Sequence, residues 1–130
     1  MVIVLSGFFL ISPVKDISVF PIKYAVGIVL IFTLASLIRD MKDIEGDKKE
    51  GIQTVPVLFG DVWGPRVVAI LSTLSFFLVP IFVGYYILIL PSFFFGYKNY
   101  KYIMAKPYIE KPIFKNYFLF VLVCIILLLV

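Results

Sequence analysis

A chain of 130 residues that is 62% hydrophobic and only 15% charged, with a mean hydropathy of +1.09, carries more apolar surface than one soluble core of that size can bury, so the surplus must face lipid. The net charge of +4 does not indicate a nucleic-acid partner, because the Lys and Arg residues flank apolar runs instead of clustering beside stacking aromatics. The absence of histidine and the presence of one cysteine, Cys124, exclude His-based zinc sites, Ser/His triads and an internal disulfide. Carboxylates, amines and hydroxyls remain for chemistry.

Met1 to Ile11 is apolar, lacks the basic start and small-residue cleavage site of a secretory signal, and reads as a short membrane helix over 2–12. Ser12-Pro13 closes it, and a polar connection with Lys15 and Asp16 leads to a second span over 20–38 that stops at Arg39-Asp40. A charged loop then covers 39–64, with Gly51 placed to end a helix and Pro65 able to open the next one, where its missing amide proton costs nothing.

From Arg66 to Tyr97 the chain is uncharged but broken by Pro80, Gly84 and Pro91, which is compatible with one long kinked helix or with a hairpin of spans 65–80 and 81–97. The charges discriminate. A hairpin puts Arg39, Lys42, Lys48, Lys49, Arg66, Lys98, Lys101, Lys106, Lys111 and Lys115 on one face, ten of the twelve basic residues. One long helix splits them five against seven, with little bias. The bias of Lys and Arg toward the cytoplasm favours the hairpin and makes the loops 39–64 and 98–113 cytoplasmic. A last span over 114–130 completes an all-α, multi-pass transmembrane bundle in the cell membrane, treated as one domain over 1–130.

The charged segment RDMKDIEGDKKEG at 39–51 holds nine charged side chains, too many for hydrocarbon unless they line a polar cavity. On a continuous helix Asp40, Asp43, Asp47 and Glu50 would follow i, i+3, i+7, i+10 and share one stripe. Asp43 and Asp47, four residues apart, can approach one small site. Hard carboxylate oxygens suit Mg²⁺, which keeps several waters and is commonly completed by substrate phosphates. Arg39, Lys42, Lys48 and Lys49 supply positive charge for such an anion. The bland alternative is a solvated loop whose lysines pair locally with its acids.

The longer string RDMKDIEGDKKEGIQTVPVLFG resembles the second aspartate-rich motif of the UbiA prenyltransferase superfamily, DxxxDxxxG followed by Thr or Ser, Pro and a closing Gly. The matching residues are Asp43, Asp47, Gly51, Thr54, Pro56 and Gly60. The form DIEGD is similar to the subgroups that make archaeal glycerol-phosphate lipids, chlorophyll and tocopherol. The resemblance implies about half of a nine-helix fold, with residues 1–12 standing for its fifth helix. It also implies Mg²⁺-dependent transfer of a prenyl group from an allylic prenyl diphosphate to a hydrophobic acceptor, a lipid or quinone precursor. Asp43 and Asp47 would be the catalytic metal carboxylates with Asp40 as a further ligand, and Arg39, Lys42 and Lys48 would contact the diphosphate.

The family's first motif, NDxxDxxxD, does not occur in these 130 residues, so activity would need a chain carrying that N-terminal half. Two other readings stand beside this one: a membrane remnant without catalysis, and a small cation-binding transporter or assembly subunit. Membrane lipid is a partner in every case.

Overall fold

The computed structural model describes residues 21–130, so the expected span over 2–12, and Lys15 and Asp16 after it, lie outside the described residues. Five α-helices follow in order: α1 (Ile22–Asp40), α2 (Ile44–Glu50), α3 (Val55–Val83), α4 (Ile89–Met104) and α5 (Lys111–Leu129), with a 3₁₀ turn at Tyr86–Leu88 before α4. There is no strand among the described residues. Helices α1, α3 and α5 are each long and apolar enough to cross a membrane, whereas α4 has 16 residues and falls at the short end of the spanning range. The protein is an all-α membrane helical bundle. Large apolar side chains such as Phe32, Leu90, Phe118 and Leu129 lie on its outside, as lipid contact requires.

The uncharged stretch is a hairpin, but its break falls at Gly84 and not between residues 80 and 81. Gly84 has φ 80° and caps α3 in the left-handed conformation, which glycine adopts without the steric cost of a Cβ. Pro80 lies within α3. Its missing N–H removes the helical partner of the Phe76 carbonyl, and the Ser92 hydroxyl of α4 lies 2.9 Å from that oxygen. The same hydroxyl lies 2.8 Å from the Leu88 carbonyl, so its one proton is shared between its own helix turn and the carbonyl that Pro80 leaves without a helical donor.

The helices also begin earlier than Pro65 implied. Helix α3 starts after Thr54, runs one turn, breaks at Gly60 (φ 78°) and resumes. The break folds the first turn back on the helix, so that a Cβ at Gly64 would lie 2.4 Å from the Pro56 carbonyl oxygen. Small residues permit the other close approaches. A Cβ at Gly27 of α1 would meet the Phe82 ring of α3, and one at Gly96 of α4 would meet Thr73 of α3.

Two apolar clusters fill the bundle. Phe76, Leu88, Phe95, Phe120 and Cys124 form one near the hairpin end, and Ile38, Ala69, Ile103 and Ile113 form the other near the charged loop. A buried polar set lies alongside them. The Tyr117 hydroxyl donates to the Ser72 carbonyl at 2.9 Å and lies 2.8 Å from the Ser75 hydroxyl. Asn99 Nδ2 donates to Ser72 Oγ at 3.1 Å, and Asn116 Nδ2 donates to the Phe95 carbonyl at 2.8 Å. These bonds join α3, α4 and α5 where apolar packing alone gives little preference over lipid.

Ser92→Ala is expected to destabilise the bundle by about 1–2 kcal/mol, because it leaves the Phe76 carbonyl without a donor. Adding Pro80→Ala, which restores the helical N–H, should recover part of that loss. Denaturant unfolding in detergent measures both, and equal losses with and without Pro80 would show that the Ser92 bond is immaterial.

Candidate functional site

The charged segment is not one helix. Helix α1 ends at Asp40 and the chain turns through Met41 and Lys42. Asp43 follows with φ −106°, ψ 14°, outside helical geometry, immediately before α2. The four-carboxylate stripe expected over 40–50 is therefore divided: Asp40 belongs to α1, and Asp43, Asp47 and Glu50 belong to the turn and α2. The Asp43–Asp47 pair itself survives, because the Asp47 amide donates to the Asp43 carbonyl at 2.8 Å and so keeps the two residues one helical turn apart. Asp40 is the last residue of α1, three positions before Asp43.

Helix α2 is only seven residues long, too short to be stable alone, and side chains beyond it hold it. The Thr54 hydroxyl, just before α3, donates to Asp47 Oδ2 at 3.2 Å. Lys48 pairs with Asp61, just past the Gly60 break. Both braces depend on the folded-back start of α3. Gly51, with φ 73°, ends α2 and turns the chain toward Thr54.

Of the basic residues expected at a diphosphate, Lys48 is engaged by Asp61, Lys42 projects from the exposed turn, and Arg39 lines a large groove. That groove, of about 820 Å³, lies between α1, α3 and α5, and its walls include Ile28, Phe32, Phe82, Phe114 and Val121. Ser36 and Arg39 are its polar members at the charged end. Sequence reading had no signal for this groove, which is assembled from three helices whose apolar faces look alike in one dimension. It had none for Asp61 either, since a lone exposed carboxylate gains meaning only through Lys48.

The two connections that carry charge meet at one end of the bundle. The Tyr108 hydroxyl, from the segment between α4 and α5, donates to the Ile38 carbonyl at 2.8 Å. Burial, with the nearby Glu110 charge, holds that phenol well above the ordinary tyrosine range, so it stays a donor throughout physiological pH. Ile38 and Arg39 are adjacent, so this bond anchors the end of α1 from which the candidate site hangs.

Mg²⁺ requires hard oxygen donors, and the site offers them in Asp43, Asp47 and Asp40. Among the described residues no group of three or more His, Cys, Asp or Glu side chains is gathered as a ready metal cage. The arrangement suits an ion held through one or two carboxylates and completed by water and phosphate, the usual protein habit of Mg²⁺.

Gly64→Ala is expected to cost about 1–3 kcal/mol through its collision with Pro56 and to loosen both braces on α2. Gly46→Ala, where a Cβ meets nothing within 4 Å, should instead stabilise α2 by about 0.5–1 kcal/mol. Thermal unfolding in detergent distinguishes them, and similar effects of the two changes would refute the close approach at Gly64.

The chain is similar to digeranylgeranylglyceryl phosphate synthase of Haloquadratum walsbyi (strain DSM 16790 / HBSQ001), at 34% identity over an 80-residue alignment that covers 51% of this chain and 28% of that protein. The match thus spans less than a third of the relative's length. No family model matches the chain, and no solved structure does.

Proposed function

We propose that this chain is the part of a UbiA-type prenyltransferase that carries one half of the diphosphate site, acting with a chain or segment that carries the other aspartate-rich motif. The carrying observation is a juxtaposition: the large apolar groove has Arg39 at its charged end, where α1 stops and the turn carrying Asp43 leads into α2 with Asp47. An amphiphile with an anionic head and a long apolar tail matches that polarity. The similarity to a synthase whose name specifies a digeranylgeranylglyceryl phosphate product supports the same reading.

In this reading Asp43 and Asp47 hold Mg²⁺, with Asp40 beside them, and the ion supplies electrostatic stabilisation of the charge that grows on a departing diphosphate. Thr54 fixes the direction of the Asp47 carboxylate through its hydroxyl. Arg39 is the guanidinium placed to meet diphosphate oxygens in the bidentate manner that lysine cannot reproduce, and Lys42 adds charge from the turn. Lys48 contributes by holding α2 against Asp61, a positioning role in place of the direct contact expected of it. The groove walls keep water from the prenyl chain, and a hydrophobic acceptor reaches the same end from the membrane. The charged end faces the cytoplasm, where the basic residues concentrate.

A second reading, a solvated loop with a cation-binding or purely structural role, draws on the Lys48–Asp61 pair. The two readings predict different linkage. A prenyltransferase half-site binds Mg²⁺ more tightly in the presence of a prenyl diphosphate, whereas a simple cation loop does not.

When the chain is reconstituted in vesicles with a partner bearing the first aspartate motif, Asp47→Asn is expected to lower Mg²⁺-dependent prenyl transfer by about 100-fold or more. Transfer of label from a radioactive allylic diphosphate measures this. Retention of activity would remove Asp47 from the metal site.

A further inference from the structure

A second, smaller pocket of about 270 Å³ lies at the charged end, walled by Met41, Val62, Pro65 and Ile103 and bearing the side chains of Arg66 and Lys106. It is separate from the large groove. Arg39 of α1 lines the groove, whereas Met41, in the turn after α1, lines this pocket. The two cations come from different parts of the chain, the start of α3 and the segment after α4. Among the described residues neither has a carboxylate partner, because the one acid in the pocket, Asp61, pairs with Lys48.

Surrounding side chains set the depth of this pocket. The Arg66 guanidinium lies 5.1 Å from the centre of the Trp63 ring, and Trp63 and Val62 are 61% and 64% exposed. On α4 the Lys98 and Lys101 ammonium groups sit over the Phe94 and Tyr97 rings at 4.8 and 4.9 Å. Trp and Tyr concentrate at membrane–water interfaces, and Trp63 and Tyr97 beside basic residues suit that layer. An apolar-walled recess with two uncommitted cations at that depth suits a phosphate diester with a lipid attached.

We infer that Arg66 and Lys106 form a binding site for the phosphate headgroup of an anionic membrane lipid, in the small pocket just beyond the end of α1. Basic pockets between transmembrane helices at the cytoplasmic side take such headgroups. Arg66 provides a planar fork for phosphate oxygens, Lys106 provides a second charge from the α4–α5 segment, and bound lipid would hold that segment against the start of α3. The site needs no metal and no prenyl diphosphate, so its test is independent of the transferase reading.

Trp63 is the chain's single tryptophan and lies against Arg66, so its emission reports on a ligand that engages that guanidinium. The whole protein in neutral maltoside micelles is titrated with phosphatidylglycerol, with phosphatidylcholine and with inorganic phosphate, and native mass spectrometry counts the lipids retained. Phosphatidylglycerol is expected to give a saturable change with one tightly held lipid, which the Arg66→Gln/Lys106→Gln double variant binds roughly 30-fold more weakly. Lys98→Gln/Lys101→Gln, with the same loss of charge outside the pocket, should leave that lipid in place. Helix content by circular dichroism confirms that each variant is folded, and Arg66→Lys, which keeps the charge, covers the case in which the double variant is not. Equal weakening in both double variants, or no saturable binding, would overturn the site. Saturation by inorganic phosphate or phosphatidylcholine at the same concentrations would overturn its assignment to an anionic lipid.

Discussion

Within lipid, a backbone carbonyl that loses its helical donor has no water to turn to, and Pro80 creates such a carbonyl at Phe76. The Ser92 hydroxyl, shared with the Leu88 carbonyl of its own turn, reaches it across the α3–α4 interface. The remaining polar bonds follow the same line. Thr73 donates to the Gly96 carbonyl at 3.3 Å, Asn99 reaches Ser72, and Asn116 on α5 reaches the Phe95 carbonyl. Glycine at position 96 allows the approach that makes these bonds short. Asn99 Oδ1 is the buried side-chain atom left without a partner among the described residues, a polar group enclosed at the centre of the α3–α4–α5 contact.

This interface governs the site at a distance. With α3 and α4 aligned, their ends at Arg66 and Met104 stand together, and the segment after α4 returns to the end of α1 through Tyr108. The charged turn therefore hangs from an anchored helix end on one side and from the folded-back start of α3 on the other. Thr54 and Asp61 supply the second attachment. A seven-residue helix with no buried residue of its own holds its place by these contacts, which explains why a charged segment can keep two carboxylates one turn apart at a membrane surface.

The two recesses at the charged end differ in chemistry. One is large, apolar and ends at the Arg39 guanidinium; the other is small, with apolar walls, two cations and Asp61. They share no wall: the groove runs along α1, whereas the small pocket lies beyond its end, between the turn at Met41 and the chain after α4. The transferase reading concerns the first, and the lipid reading the second.

The sequence by itself determined the solvent of this protein, its helical class, the hairpin and the charged turn, because each follows from local composition: apolar excess, proline and glycine breaks, and the crowding of charges that hydrocarbon rejects. The pairing of Asp43 with Asp47 was likewise local, four residues along one chain. Tertiary structure decided where the helices stop. Pro80 looked like a boundary and is not one, since Ser92 reaches the Phe76 carbonyl that it orphans from 16 residues away, and Gly84 takes the turn because its backbone can. It also decided that Asp40 leaves the stripe, that Lys48 is spent on Asp61, and that Arg39 rather than its neighbours meets the groove. Those outcomes depend on which side chains from separate helices come within 3 or 4 Å of one another, a quantity that spacing along a single chain does not contain.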